Sequence, residues 1–308
     1  MSQSTNTILM VSPSTFGYNE ESAPDNTFQK RPKSLEGNEI GQKLALVEFN
    51  EMVKKLRDSH VNVIVVKDEL KARTTDSIFP NNWFSTHVDG SLYIYPMMAK
   101  NRRIERGIGI IEELSTRYII LNTIDFTSYE KENKFLEGTG SMVFDRENKI
   151  IYAIVSKRTD LDVLSEMKKS IGYEMILFNS VNEDNVPVYH TNVIMCVATT
   201  FIILCFESIK NEEERLAIIR AAERTNKVII DISFEQVKYF CGNVIEIKNN
   251  KNEKLLAMSI NAFNHFTKKQ IETIENSHSI FTAEIPTIET LGGGGVRCMI
   301  AEIFFESL

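Results

Sequence analysis

Short apolar runs rich in Val, Ile, Tyr and Phe recur along the whole chain, each bounded by polar or turn-forming residues. They predict strands over 7–11, 61–66, 92–95, 118–122, 150–155, 175–178, 188–197, 201–206, 227–232, 244–247 and 279–283. Between them lie segments whose apolar residues fall at helical spacing. One covers 38–59, with Ile40, Leu44, Val47, Met52 and Leu56 as its apolar stripe, and others cover 101–114, 159–170, 211–225 and 267–276. Asn211 with Glu214, and Thr267 with Gln270, stand at the spacing of a capping box, in which the cap side chain and the fourth residue satisfy each other's unpaired N–H. Asp89-Gly90 between two strand-like runs reads as a hairpin turn. Strands outnumber helices by about two to one, so strict alternation of strand and helix does not fit. A unit of two or three strands per helix, cycling roughly four or five times, does. No linker or low-complexity tract divides the chain, and 1–308 reads as one α/β domain.

Composition narrows the function. The 308 residues hold 35 Lys and Arg against 42 Asp and Glu, a net charge of −7, which speaks against a basic nucleic-acid-binding face. Four scattered cysteines make no disulfide framework. The histidines and cysteines show no metal-binding spacing, so neither metal nor organic cofactor is expected. The first residues lack the basic and apolar regions of a signal peptide, and no apolar run approaches the ~18 residues of a membrane span. The expected setting is a reducing cytoplasm.

Four segments could carry chemistry. The first is Gly292–Gly295 followed by Arg297 and Cys298. Four glycines suit a loop whose backbone approaches a ligand, and the run matches no phosphate-loop pattern. A thiol beside a cation fits a low-pKa nucleophile; a buried filler cysteine fits the same residues equally well. Cys196 and Cys205 sit in apolar runs and read as core, and Cys241 as a helix-end residue. A cysteine nucleophile needs a base. His60, His265 and His278 read as surface residues, and His87 precedes a turn. His190 opens an apolar strand and shares one face of it with Asn192, where a core histidine is the competing reading. The third segment carries Glu137 into a strand flanked by glycines; it either orients an imidazole or is an exposed strand end. The fourth, 76–87, places Asn81 and Asn82 beside Trp83 and two Phe, which suits a small polar ligand or a turn with a bulge.

Taken together these segments resemble the amidinotransferase-related, guanidine-modifying enzymes of the pentein superfamily, and among them the citrulline hydrolases. The resemblance rests on Phe16-Gly-Tyr-Asn, Phe79-Pro-Asn-Asn-Trp-Phe-Ser-Thr-His, Asn101-Arg-Arg, Leu136-Glu-Gly-Thr-Gly-Ser, His190-Thr-Asn, Phe240-Cys-Gly-Asn and Gly292 through Cys298-Met, in order along the chain. It implies a five-bladed α/β-propeller of ββαβ units. It also implies Cys298 as nucleophile, His190 as general acid and base, and Glu137 as the carboxylate that holds the imidazole. Relatives acting on guanidinium compounds place aspartates where this chain has Asn82 and Asn192. A buried guanidinium is best held by carboxylates, whereas a neutral ureido group needs donors and acceptors together, as an amide supplies. The implied reaction is hydrolysis of citrulline to ornithine, CO₂ and ammonia through an S-carbamoyl intermediate. Amide N–H groups near Gly292–Gly295 are expected to hold the oxyanion. Arg158, matched to a carboxylate-binding residue of related hydrolases and expected to start a helix, or else Arg297, would anchor the substrate carboxylate, with Phe16 and Asn19 closing the pocket. The implied partner is a small amino-acid substrate, with no nucleic acid and no membrane; a homodimer is compatible with it. Two alternatives stand beside this reading: a hydrolase or amidinotransferase of arginine or methylarginine, and a catalytically inert pentein binding protein.

Overall fold

An antiparallel pair of strands, then a helix, then a third strand parallel to the second is the unit from which the molecule is built. The computed structural model describes residues 2–70 and 72–308. β1 (Thr7–Ser12) runs parallel to β2 (Asn62–Lys67) after the helix Leu35–Asp58. β3 (Phe84–Thr86) and β4 (Ser91–Ile94) form a hairpin, and β5 (Asn122–Asp125) follows parallel to β4 beyond the helix Ile110–Ser115. β6 (Met142–Asp145), β7 (Ile150–Ile154) and β8 (Glu174–Phe178) repeat the pattern around Leu161–Ile171. β9 (Met195–Val197), β10 (Phe201–Leu204) and β11 (Val228–Asp231) repeat it around Glu212–Arg224. β12 (Ile245–Lys248), β13 (Lys254–Ser259) and β14 (Ser279–Ala283) do so around Lys268–Glu275. The last strand, β15 (Ala301–Glu302), pairs antiparallel with β1 and completes the first sheet. Five three-stranded sheets result among the described residues, the five-bladed ββαβ propeller that the resemblance implied.

The parallel step in each sheet requires a crossover, which the helices supply on the outside. The middle strands are consequently covered on both faces: Ile202, Ile203 and Leu204 of β10 are fully buried. Local signals hold where they are strong. Thr267 and Gln270 form the full capping box, and Asn211 caps its helix through the N–H groups of Glu213 and Glu214. The second box does not close, because Glu214 instead accepts from the backbone and side chain of Asn179.

Several expectations give way to tertiary context. In the first helix Met52 and Leu56 of the expected stripe are buried, but Ile40, Leu44 and Val47 are exposed, and Ala45, Phe49 and Val53 complete the buried face. The segment 101–114 is broken into three short helical pieces at Ile104 and at Gly109, whose φ is 87°. The strand expected over 118–122 starts at Asn122, with Leu121 66% exposed. His278 is buried, with Nε2 2.7 Å from Glu246, rather than on the surface.

Closure through β15 makes one packing prediction. Leu9 is fully buried and sits opposite Ala301 in the pairing. Leu9→Ala should lower unfolding free energy by about 2–5 kcal/mol in urea titrations; a change below ~1 kcal/mol would mean the closing sheet does not contribute to the cooperative core.

Candidate active site

Each antiparallel first strand is entered through a single tight turn. These are Pro80–Asn82 before β3, Gly138–Ser141 before β6, Thr191–Val193 before β9, 241–243 before β12 and Val296–Met299 before β15. His190 and Asn192 are therefore in a turn, not on the strand expected over 188–197, and Glu137 introduces a helical turn. The turns are stitched to one another by buried polar side chains. Asn81 and Thr139 join the first two, at 3.1 and 3.2 Å. Thr191 donates to Ser141 O at 2.5 Å, Asn243 Nδ2 donates to Asn192 O at 2.8 Å, and Gly295 N donates to Asn243 Oδ1 at 3.0 Å. The candidate residues His190, Glu137 and Cys298 are gathered from separate sheets onto these linked turns.

His190 Nε2 lies 2.8 Å from Glu137 Oε2. Glu137 also accepts from Met98 N at 3.0 Å and from Arg158 Nη1 at 3.3 Å. Burial pushes its carboxyl upward, but Arg158 and the imidazole more than offset this and hold it well below the usual carboxylate range. An ionised carboxylate only accepts, so Nε2 carries the imidazole hydrogen and Nδ1 keeps the free lone pair. Burial lowers the His190 pKa against the opposing pull of Glu137, which keeps the ring neutral and ready to take a proton.

Cys298 is 8% exposed. Its Sγ accepts from Asn243 Nδ2 at 3.2 Å and lies 3.7 Å from Asn192 Nδ2. Burial raises the thiol pKa, with Asn243, Arg297 and Asn192 pulling it back only in part. The expected low-pKa thiol is thus a protonated one at rest, because desolvation outweighs the neighbouring cation. Arg297 hydrogen-bonds to Ile300 O at 3.0 Å and Glu302 at 3.2 Å, at the entry to the closing strand. The N–H of Gly295 is occupied by Asn243 and that of Gly293 by Glu289 O, so these two glycine amides are not free to form the expected oxyanion site.

The remaining candidates divide. Asn82 Oδ1 accepts from Arg102 Nη1 at 2.7 Å, while its Nδ2 is buried without a partner, as is Asn192 Oδ1. A Cβ on Gly140 would fall on Asn82 Nδ2 and 2.8 Å from His190 Nδ1, which places these two atoms around the same small space. Asn19 donates to Asp76 Oδ2 at 2.7 Å and accepts from Asn101 at 2.7 Å. Asp76 keeps Oδ1 unpaired, and burial raises its pKa. Arg158 precedes its helix, which begins at Leu161 behind the Asp160 cap. It is committed to Asp25, Ser22 O and Glu137, and lies 4.8 Å above the Tyr189 ring, which makes it a brace for the carboxylate. Phe16 is buried and would contact a Cβ at Gly292. The segment around it is strapped to the glycine loop, with Gln29 Nε2 donating to Gly292 O at 3.0 Å and Lys30 N to Thr290 O at 2.8 Å. A cavity of about 720 Å³ adjoins this strap, walled by Phe28, Tyr189, Val193 and Phe240, with neither Cys298 nor His190 in its lining.

Asn243, Arg102, Glu105 and Asp76 were not picked out as site residues from sequence. Three of them lie within or next to motifs that carried the resemblance, Phe240-Cys-Gly-Asn and Asn101-Arg-Arg, and Asp76 stands just ahead of Phe79-Pro-Asn-Asn. Among the described residues no group of three or more His, Cys, Asp or Glu could hold a metal ion, and no helix is long and apolar enough to cross a membrane.

Two substitutions test this geometry. Gly140→Ala should reduce kcat/KM at least ~100-fold through the crowding of Asn82 and His190, with Tm changed by only a few degrees; retained activity would show that those atoms are not at the reaction centre. Asn243→Ala removes a donor to sulfur, so alkylation of Cys298 by iodoacetamide should need higher pH than in the parent, with roughly a tenfold lower rate at neutral pH. An unshifted alkylation profile would remove Asn243 from the thiolate's environment.

The fold agrees with what comparison with known proteins finds. No curated protein matches the sequence. The cyanobacterial arginine dihydrolase ArgZ superposes with a TM-score of 0.74 at 16% identity over 98% of this chain, which spans 41% of that longer protein. The N-terminal domain of ArgZ, bound to substrate, superposes at 0.73 and 15% identity, covering 97% of this chain and 99% of that one. A dimethylarginine dimethylaminohydrolase carrying an S-methyl-L-thiocitrulline adduct superposes at 0.64 and 15% identity, over 96% of this chain and 98% of the other. At these identities the superpositions speak for the fold. The sequence profile of the family "N,N dimethylarginine dimethylhydrolase, eukaryotic" matches residues 12–305. With that match spanning nearly its whole length, the chain belongs to this family.

Proposed function

We propose that this protein hydrolyses the ureido group of L-citrulline, giving ornithine, CO₂ and ammonia. The observation that carries the reading is a pair of buried, unpaired amide atoms of opposite sense, the donor Asn82 Nδ2 and the acceptor Asn192 Oδ1. A ureido group has a carbonyl oxygen for the first and an NH₂ for the second; a guanidinium offers donors only. An unpaired buried polar atom is unfavourable by about 1–3 kcal/mol, and such a substrate relieves it at both atoms.

In the proposed reaction the Cys298 proton moves to His190 Nδ1 and sulfur attacks the ureido carbon. The imidazolium returns the proton to the leaving nitrogen, the C–N bond breaks, and ornithine departs. A carbamoyl group remains on sulfur. His190 Nδ1 then takes a proton from water, whose oxygen attacks the carbamoyl carbon. The C–S bond breaks, carbamate leaves and decomposes to CO₂ and ammonia, and the thiol is restored. Glu137, braced by Arg158, holds the imidazole in the tautomer that this requires. Asp76 Oδ1, unpaired and buried, is the acceptor we assign to the substrate ammonium.

A second reading starts one step earlier, with arginine converted through citrulline to ornithine in the same site. The structural likeness to proteins described as arginine dihydrolases favours it. Ammonia and ornithine measured from citrulline and arginine separately distinguish the two. Citrulline should yield one ammonia per ornithine; no ammonia from citrulline would overturn the first reading, and two ammonia per ornithine from arginine would establish the second. Asn82→Asp with Asn192→Asp should cut citrulline turnover by at least ~100-fold, and an undiminished rate would remove the amides from the site.

A further inference from the structure

Four glutamates are buried among the described residues, and three of them are answered by a basic side chain. Glu105 lies 2.9 Å from Arg102, Glu137 3.3 Å from Arg158 and Glu246 2.7 Å from His278. The fourth, Glu289, is 4% exposed and has no such partner among the described residues. Its Oε2 accepts from Asn261 Nδ2 at 3.2 Å, and its Oε1 accepts from nothing. Burial pushes its pKa up to about 7; Ser259 and Asn261 pull it back only in part, and Glu48 adds to the rise. A buried carboxyl that its own chain leaves without a cation is a place for a cation from outside.

Glu289 and Asn261 belong to the wall of the cavity of about 720 Å³ beside the strap, a volume in the range of small-molecule sites. Much of the remaining wall is apolar. Phe28 from the strap and Phe240 from the turn region before β12 meet there, with ring centroids 5.3 Å apart. The charged residues of the lining are five carboxylates and two lysines. One of the lysines, Lys238, is held by Glu183 and Glu235 at 2.8 and 3.2 Å. Such a chamber disfavours anions and suits a molecule with an ammonium group on a hydrocarbon body.

We propose that this cavity is a second ligand site, separate from the reaction centre, for an alkyl- or arylalkylamine whose ammonium group pairs with Glu289. The site is built into the strap. Lys30 N donates to Thr290 O at 2.8 Å, and both residues line the cavity, so a bound amine packs against the contact that holds the strap to the helix before the glycine loop. Asp25, another lining residue, holds Arg158 and through it the Glu137 brace.

The test is calorimetry at pH ~8, above the raised Glu289 value, so that the carboxyl is ionised. The probes are phenethylamine and hexylamine, with phenylacetate as the anionic counterpart. Both amines should bind the parent protein, and phenylacetate should bind at least ~10-fold more weakly than phenethylamine. Glu289→Gln keeps the shape and removes the charge; it should weaken phenethylamine by roughly tenfold or more and leave phenylacetate unchanged. Val186 lines the cavity and is 46% exposed, so Val186→Trp fills the space from its mouth without disturbing the core. That variant should lose amine binding at an unchanged Tm, and it keeps the proposal testable should Glu289→Gln not fold. Bound amine should also slow hydrogen exchange at Lys30 N–H while leaving Cys298 open to iodoacetamide. Failure of both amines to bind, equal affinity for phenethylamine and phenylacetate, or undiminished amine binding in either variant would overturn the proposal. So would protection of Cys298 by a saturating amine, which would place the amine at the reaction centre. None of these readouts depends on which head group the enzyme hydrolyses.

Discussion

The chain of hydrogen bonds that links the five turns one to the next is the constraint on which the proposed site depends. Each turn is too short to hold its own shape, and each is buried, so its polar groups must find partners in the neighbouring turn. Asn81 with Thr139, Thr191 with Ser141 O, and Asn243 with both Asn192 O and Gly295 N supply them. In doing so they fix how the sheets face the centre. The residues that carry chemistry project from the same turns, so positioning them requires no separate scaffold. Asn243 shows the economy of this: its oxygen holds the glycine loop, and its nitrogen meets both the adjoining turn and the sulfur.

Burial at the centre has opposite consequences for Cys298 and His190, the two groups between which a proton moves in the proposed reaction. It raises the thiol pKa of Cys298 and lowers that of the His190 imidazole, so both are neutral at rest. An ion pair formed in advance would have to be maintained in a desolvated space, which is unfavourable. A neutral pair avoids that and needs charge only as the reaction proceeds. Glu137, kept ionised by Arg158 and the imidazole, is the fixed charge that favours the imidazolium when it forms. The brace runs further out to Asp25, in the same segment that straps the glycine loop through Gln29. The carboxylate's surroundings and the cover of the site are therefore connected.

Much of the outer structure could be read from the chain. All eleven expected strands overlap observed ones, because runs such as 201–206 are apolar throughout and suit a doubly covered strand. The strand expected over 118–122 touches the observed β5 only at Asn122. Four observed strands were not expected: β15 and β3 are only two and three residues long and leave little pattern, whereas β6 and the six-residue β13 were missed outright. The first helix was found and Met52 and Leu56 were placed correctly, but Ile40, Leu44 and Val47, as apolar as the residues facing the core, proved exposed. Cys298, His190 and Glu137 were singled out because polar or reactive residues beside glycines and apolar strands need a reason. Arg158 and Arg297 were expected to meet substrate, and their partners Asp25 and Glu302 are remote in sequence or separated by a turn, out of reach of any local pattern.

The amino-acid sequence by itself determined the composition of the site and the repeating order of strands and helices, because residue identity and apolar spacing are local properties. It also held Asn82 and Asn192, at positions where the resemblance expects aspartates in relatives acting on guanidinium compounds. Tertiary structure alone decided which end of each amide is left without a partner, which imidazole nitrogen is free, and that the thiol rests protonated. Those depend on what lies within about 3 Å of an atom and on how much water has been excluded around it. Contacts from Arg102 to Asn82 and from Asn243 to Cys298 span 20 and 55 residues of chain, and only folding brings them together.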